Sequence, residues 1–144
     1  IHLATHGLLD EMGNTSFPGA IALGPNGSKP NDGLLTAEEL LDPALKLKAD
    51  LVVLSACDTG QGRITGDGVI GLSRSFITAG VPSVVVSLWA VPDAPTAELM
   101  TRFYQNLQQG QNKAQALRQA MLDTQKGFPD PRSWAAFTLI GEAD

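Results

Sequence analysis

Asp50-Leu51-Val52-Val53-Leu54-Ser55-Ala56-Cys57-Asp58-Thr59-Gly60 runs from an unbroken apolar segment straight into a polar, glycine-containing one. Four apolar residues in a row, without the alternation of a half-exposed strand, indicate a strand covered on both faces, as in parallel sheets flanked by helices. Ser83-Val84-Val85-Val86 repeats the pattern. Between the two runs Val69, Leu72, Phe76 and Ile70, Ile77 fall at helical spacing, with Asp67 placed to cap that helix and Gly80 to stop it. Beyond the second run, Met100, Phe103, Tyr104 and Leu107 form the stripe of a helix that ends at Gly110. A further helix starts at Asn112, turns Ala114, Leu117 and Met121 inward and ends at Gly127; Trp134 to Ile140 reads as a closing strand.

On the N-terminal side, Ile1-His2-Leu3-Ala4-Thr5 is strand-like from its first residue, without a cap, turn or polar lead-in. Phe17 to Asp32 holds Pro18, Gly19, Gly24, Pro25, Gly27 and Pro30, which marks a long loop with Ala20 to Leu23 as a short strand inside it. Thr36 and Glu39 form a capping box for a short helix that buries Leu40 and Leu41 and ends near Pro43. Strand and helix alternate without an internal repeat, so the expected architecture is a three-layer α/β arrangement around a mainly parallel sheet.

The 144 residues, 43% hydrophobic and 17% charged, suffice for one core and exclude a disordered or collagen-like chain. A formal net charge of -5 with ten scattered Lys and Arg residues argues against a surface that tracks nucleic-acid phosphates. Apolar runs of a few residues fall far short of the roughly 20 that a spanning helix needs. A single cysteine allows no internal disulfide and, with nothing resembling a secretory leader, indicates a reducing, cytoplasmic setting.

In open α/β sheets, chemistry gathers where loops leave the carboxyl ends of the strands. Two such exits carry reactive residues: Thr5-His6-Gly7 and Ser55-Ala56-Cys57-Asp58-Thr59-Gly60. A lone cysteine is more often a small buried hydrophobe, but Cys57 stands where the apolar run stops, at the rim of the sheet. If the two strands are parallel neighbours, their exits lie about 5 to 10 Å apart, within reach of an imidazole toward a thiol. A neighbouring histidine raises the thiolate fraction and later protonates the leaving amine. The backbone N–H groups of Gly7 and Cys57 are natural oxyanion donors. His2 lies on the same strand face as His6, about 13 Å away, too far to share a metal, and reads as structural.

Three other patterns compete. Gly66-Asp67-Gly68-Val69-Ile70-Gly71 matches the dinucleotide fingerprint, but Gly66 stands eleven residues beyond Ser55, where a Rossmann turn follows its strand directly. Cys57 and Arg63 spell the C-x5-R of cysteine phosphatases, although Ile64, Thr65 and Gly66 separate the arginine from the expected helix start at Asp67, where an acidic cap would repel phosphate. A redox switch lacks a resolving cysteine in this chain.

Cys57 follows His6 by 51 residues, close to the spacing of roughly 50 in caspase-type proteases. The chain resembles the CHAT family of caspase-like cysteine peptidase domains, often joined to tetratricopeptide repeats. The matching segments are His2 to Gly7, Asp32 to Leu40, Asp50 to Gly60, Ser87 to Asp93 and Trp134 to Phe137. The resemblance implies a caspase-like three-layer α/β/α sandwich, with His6 as general base and Cys57 as nucleophile of an endopeptidase that works through a thioester acyl-enzyme, without cofactor or metal. It also implies two strands before the one leading to His6, so residues 1–144 read as the C-terminal, dyad-bearing part of a larger domain with an exposed sheet edge along Ile1 to Thr5. Asp58-Thr59-Gly60 departs from the shorter C-x-G ending of caspases, so their aspartate preference does not carry over. Ser87-Leu88-Trp89-Ala90-Val91-Pro92-Asp93 is similar to the separase segment in which an acidic residue receives a basic substrate side chain. That assigns Asp93 to the substrate, unless it merely caps a helix, with Trp89 lining the pocket unless it packs in the core. The substrate backbone is expected to add as a strand beside Ser87 to Val91. A binding-only adaptor domain and the phosphatase remain the alternatives.

Overall fold

The computed structural model describes residues 1–8, 20–24, 32–55 and 66–144. Its main sheet holds four strands in the order β1 (His2–Leu3), β5 (Val52–Leu54), β6 (Ser83–Ser87), β7 (Phe137–Gly141). β1 and β5 run parallel, with His2 opposite Val53 and Leu3 opposite Leu54; β5 and β6 are also parallel, and β7 returns antiparallel. Among the described residues β1 and β7 are the sheet's edges, and Ile1 is 53% exposed.

The uninterrupted valine runs are explained by two cores, one on each face. Val52, Leu54, Val84 and Val86 point to one side, where they meet Leu72 and Phe76 of α2 (Gly66–Thr78) and Leu40 of α1 (Ala37–Leu40). Val53 and Val85 point to the other, against Leu99, Met100 and Phe103 of α3 (Asp93–Gln108) and Ala116, Leu117 and Ala120 of α4 (Lys113–Gly127). Neighbouring side chains leave a strand on opposite faces, so the middle of a strand buried on both sides is apolar at every position, with polar residues such as Ser83 and Ser87 only at its ends. The result is the expected three-layer α/β/α sandwich.

A second, three-stranded antiparallel sheet joins β2 (Gly7–Leu8), β3 (Ala20–Ala22) and β4 (Leu34–Thr36). The chain therefore does not continue as one strand through Thr5. It leaves the main sheet after Leu3 and enters the small one at Gly7, because Ala22 offers both its N–H, to the His6 carbonyl at 2.8 Å, and its carbonyl, to the Thr5 hydroxyl at 2.7 Å. The capping box is present in full: the Thr36 hydroxyl accepts from the Glu39 N–H at 3.1 Å while the Glu39 carboxylate accepts from the Thr36 N–H at 2.8 Å.

Several expectations are corrected in detail. The helix expected to start at a capping Asp67 begins at Gly66; it buries Leu72 and Phe76 but leaves Ile77 38% exposed, and the Val69 and Ile70 side chains lie outside the described residues. On α4 the inward positions are Ala116, Leu117 and Ala120, whereas Ala114 is exposed, a shift of part of the face within one turn. The closing strand starts at Phe137 and not at Trp134, because a 3-10 turn over Pro131–Ser133, capped by Asp130, holds Trp134 at its end.

Gly141 ends β7 at φ +101°, and a Cβ there would collide with the Pro82 carbonyl oxygen. Gly141→Ala therefore combines left-handed strain with a backbone clash and is expected to cost at least about 2 kcal/mol. The reading is a lowered urea midpoint; an unchanged midpoint would contradict this account of the β6–β7 edge.

Candidate active site

The parallel pairing of β1 with β5 brings the two reactive exits together. The strands are direct neighbours, so their carboxyl ends leave the sheet about 4.8 Å apart. Above them lies a cleft of about 340 Å³ lined by His2, Ala4, Thr5, His6 and Ser55, and roofed by Asp93, Thr96, Ala97 and Met100 of α3. His6 has a firm mount: its own carbonyl accepts from Ala22, and the preceding Thr5 hydroxyl donates to the Ala22 carbonyl. The bond from Ala22 N–H to His6 O flanks the Gly7–Ile21 pair, which makes that pair a non-hydrogen-bonded one. The Gly7 N–H thus points away from β3 and is not consumed by the small sheet.

His2 is also at the cleft, because the chain bends after Leu3 and does not carry the two histidines along one straight face. Its Nε2 lies 2.8 Å from the Ser55 hydroxyl, and its Nδ1 lies 3.1 Å from the Tyr104 hydroxyl. The His2 and Tyr104 rings are 5.6 Å apart between centroids and tilted by 35°. His2 keeps an exposed edge, yet packing of the ring against the cleft wall holds its pKa below the ordinary value of 6.5; burial likewise pushes the Tyr104 hydroxyl above 10.0. Both are therefore neutral at pH 7. In a neutral imidazole one ring nitrogen donates and the other accepts, and each hydroxyl can do either, so both bonds are satisfied in either tautomer.

The structure separates the residues expected to bind substrate. Asp93 lines the cleft with His6. Pro92 takes the N-cap position, so Asp93 is the first residue of α3 and not its cap. Trp89 is elsewhere: its Nε1 donates to the Arg132 carbonyl at 2.9 Å and its ring packs against the α3–α4 core. Ser87 is 5% exposed and pairs with Phe137 in the sheet, and Leu88 N–H donates to the Ala136 carbonyl at 2.8 Å. β5 takes one side of β6 up to Val86 and β7 the other up to Leu88, so an added strand cannot pair with Val84 to Val86. Cys57 and Arg63 lie outside the described residues.

Sequence reasoning placed Tyr104 only on an apolar helix stripe and gave Ser55 no role. The one available signal was the tyrosine hydroxyl, which in a buried stripe needs a partner. The dinucleotide fingerprint lies on a helix: Gly66, Gly68 and Gly71 all fall within α2, and β5 ends at Leu54, so among the described residues no strand runs directly into a glycine turn. Among the described residues no group of three or more His, Cys, Asp or Glu could hold a metal ion, and no helix is long and apolar enough to cross a membrane.

The sequence profile of the CHAT domain matches residues 1–142. The chain belongs to the CHAT domain family. This is a caspase-like family, in keeping with the three-layer sheet and the cleft at its strand ends. Among curated relatives, tetratricopeptide repeat protein 28 of Mus musculus is 44% identical over 110 residues, and the protein of the same name in Homo sapiens 43% over the same length. Each match covers 75% of this CHAT chain but only 4% of the relative.

A depressed His2 pKa has a sign. The unfolded chain binds a proton at His2 near pH 6.5, above the folded value, so the contribution is complete above pH 6.5 and is lost as pH falls from there through the folded pKa. Asp123, held below 3.8 first by its bond from Lys126 and then by that from Gln119, acts only at more acidic pH. Urea midpoints should fall between pH 7 and pH 5, and His2→Gln should flatten that part of the curve; identical slopes in both proteins would contradict the assignment.

Proposed function

We propose that this CHAT domain is a cysteine endopeptidase that cleaves a protein substrate with His6 as general base and Cys57 as nucleophile. The observation that carries the reading is the parallel β1–β5 pair, which sets His6 and Ser55 on one cleft with Cys57 two residues beyond Ser55 in the chain. His6 takes the thiol proton, and the thiolate adds to the scissile carbonyl. The resulting oxyanion is met by the backbone N–H groups of Gly7 and Cys57, each worth about a hundredfold in rate. His6 then protonates the leaving amine as the thioester forms. Water, activated by the same imidazole, hydrolyses the thioester and returns the thiol.

Asp93 is proposed to receive an Arg or Lys side chain before the cleaved bond, from its place on the same cleft wall as His6. Trp89 packs behind that wall, against the cluster that holds Met100, and the substrate strand is proposed to lie along the Ser87 to Val91 segment, on the side that β7 leaves open. The reading includes a cytoplasmic setting, where a lone thiol stays reduced, and residues 1–144 as the dyad-bearing part of a larger peptidase domain. The names of the relatives support tetratricopeptide repeats in the same full-length protein.

A peptidyl thiol probe tests the dyad. Labelling at Cys57 is expected to fall at least about a hundredfold in His6→Ala. No labelling of Cys57 in the full-length protein would favour the binding-only adaptor, and vanadate-sensitive phosphate-ester hydrolysis the phosphatase. For Asp93, the ratio of kcat/KM for matched Arg and neutral peptides should drop about tenfold or more in Asp93→Ala. Equal cleavage of the two peptides by the unmutated enzyme, unchanged by the substitution, would contradict that role.

A further inference from the structure

The two histidines of His2-Leu3-Ala4-Thr5-His6 reach the same cleft, but only one of them has a role in the chemistry above. We infer that His2 is a positioning residue for the nucleophile: linked to Ser55 and Tyr104, it fixes the outgoing end of β5 and with it the direction in which the chain departs toward Cys57. The inference rests on the dyad reading and assigns His2 no contact with substrate.

Ser55 is the last described residue before Cys57, and it is held twice. Its N–H donates to the Leu3 carbonyl at 3.2 Å, continuing the parallel ladder one step past β5, and its hydroxyl meets His2 Nε2 at 2.8 Å. The backbone bond fixes where the strand end lies; the side-chain bond fixes its rotation about the strand axis. That rotation matters for the dyad reading, because successive residues leave a strand on opposite faces, and a turn at Ser55 redirects whatever part of the chain follows it.

His2 would be a poor anchor if it were free to change rotamer. It is not free, because the Tyr104 hydroxyl holds the other ring nitrogen from α3, the helix that also supplies Asp93 and Met100 to the cleft. Tyr104 in turn packs against the buried Phe103, at 5.4 Å between ring centroids. The linkage therefore runs from the α3 core through Tyr104 and His2 to Ser55, and it joins three elements at the site. The depressed pKa that burial gives His2 suits this task, since a neutral ring adds no positive charge to the cleft.

The test uses the full-length protein and iodoacetamide as the thiol probe, with the rate of Cys57 alkylation read by peptide mass spectrometry. His2→Phe keeps a ring against Tyr104 but removes both bonds, and Ser55→Ala removes the hydroxyl. Each should slow alkylation about tenfold, and the double variant should be no slower than either single one, because both break the same link. His2→Gln and Ser55→Thr, which keep a polar partner, should recover most of the rate, a pattern that a loss of packing alone would not give. Multiplying effects in the double variant, or unchanged rates in His2→Phe and Ser55→Ala, would overturn the inference. Hydrogen exchange at the Ser55 amide separates it from the dyad: faster exchange in His2→Phe but not in His2→Gln supports positioning even if Cys57 labelling ignores His6, a result that removes only the dyad. Unchanged exchange in His2→Phe overturns the positioning itself.

Discussion

The parallel register between β1 and β5 is the constraint on which the rest of the molecule depends. His2 opposite Val53 and Leu3 opposite Leu54 place two strand exits side by side although 51 residues separate His6 from Cys57 along the chain. The pairing is carried by backbone bonds from Val53 N–H to the Ile1 carbonyl at 2.9 Å and from Ser55 N–H to the Leu3 carbonyl at 3.2 Å. The position of β1 is further secured by the Thr5 and His6 bonds to Ala22 on one side and by His2 to Ser55 and Tyr104 on the other. The site is thus assembled where polar contacts tie β1 to the small sheet, to α3 and to the end of β5, while β5 and β6 are held by burial on both faces.

That division explains what the sequence revealed. Val52 to Leu54 and Val84 to Val86 are legible because burial on both faces leaves an apolar run that nothing else imitates at that length. Thr36 and Glu39 are legible for a different reason: a capping box is a local exchange of two hydrogen bonds, and all its atoms lie within four residues. Asn112 before α4 and Gly80 after α2 belong to the same local class; the first caps α4 through its side chain, and the second sits at φ +104°.

The bend at Ala4 to His6 was not legible. It depends on Ala22, sixteen residues beyond His6 in the chain, and no periodicity in Ile1 to Thr5 announces a change of sheet. The same holds for His2, whose partners Ser55 and Tyr104 lie 53 and 102 residues away. Ser87 and Trp89 show the reverse case. Family likeness places their segment near the substrate, but β7 takes the backbone of β6 and Arg132 takes the indole N–H, so only Asp93 of the three lines the cleft. Helix faces were read to within one turn, as Ala114 and Ile77 illustrate, because apolar residues on a surface helix are common enough to blur its inner face.

The central claim, that the β1–β5 register serves a His6–Cys57 dyad, is tested most directly by a crystal structure of the full-length protein inactivated with a peptidyl chloromethylketone that carries arginine next to the reactive group. The account predicts a covalent bond from the Cys57 sulfur to the inhibitor, with the His6 imidazole within about 4 Å of that sulfur. An adduct at Cys57 with His6 turned out of the cleft, or no adduct at Cys57, would contradict it.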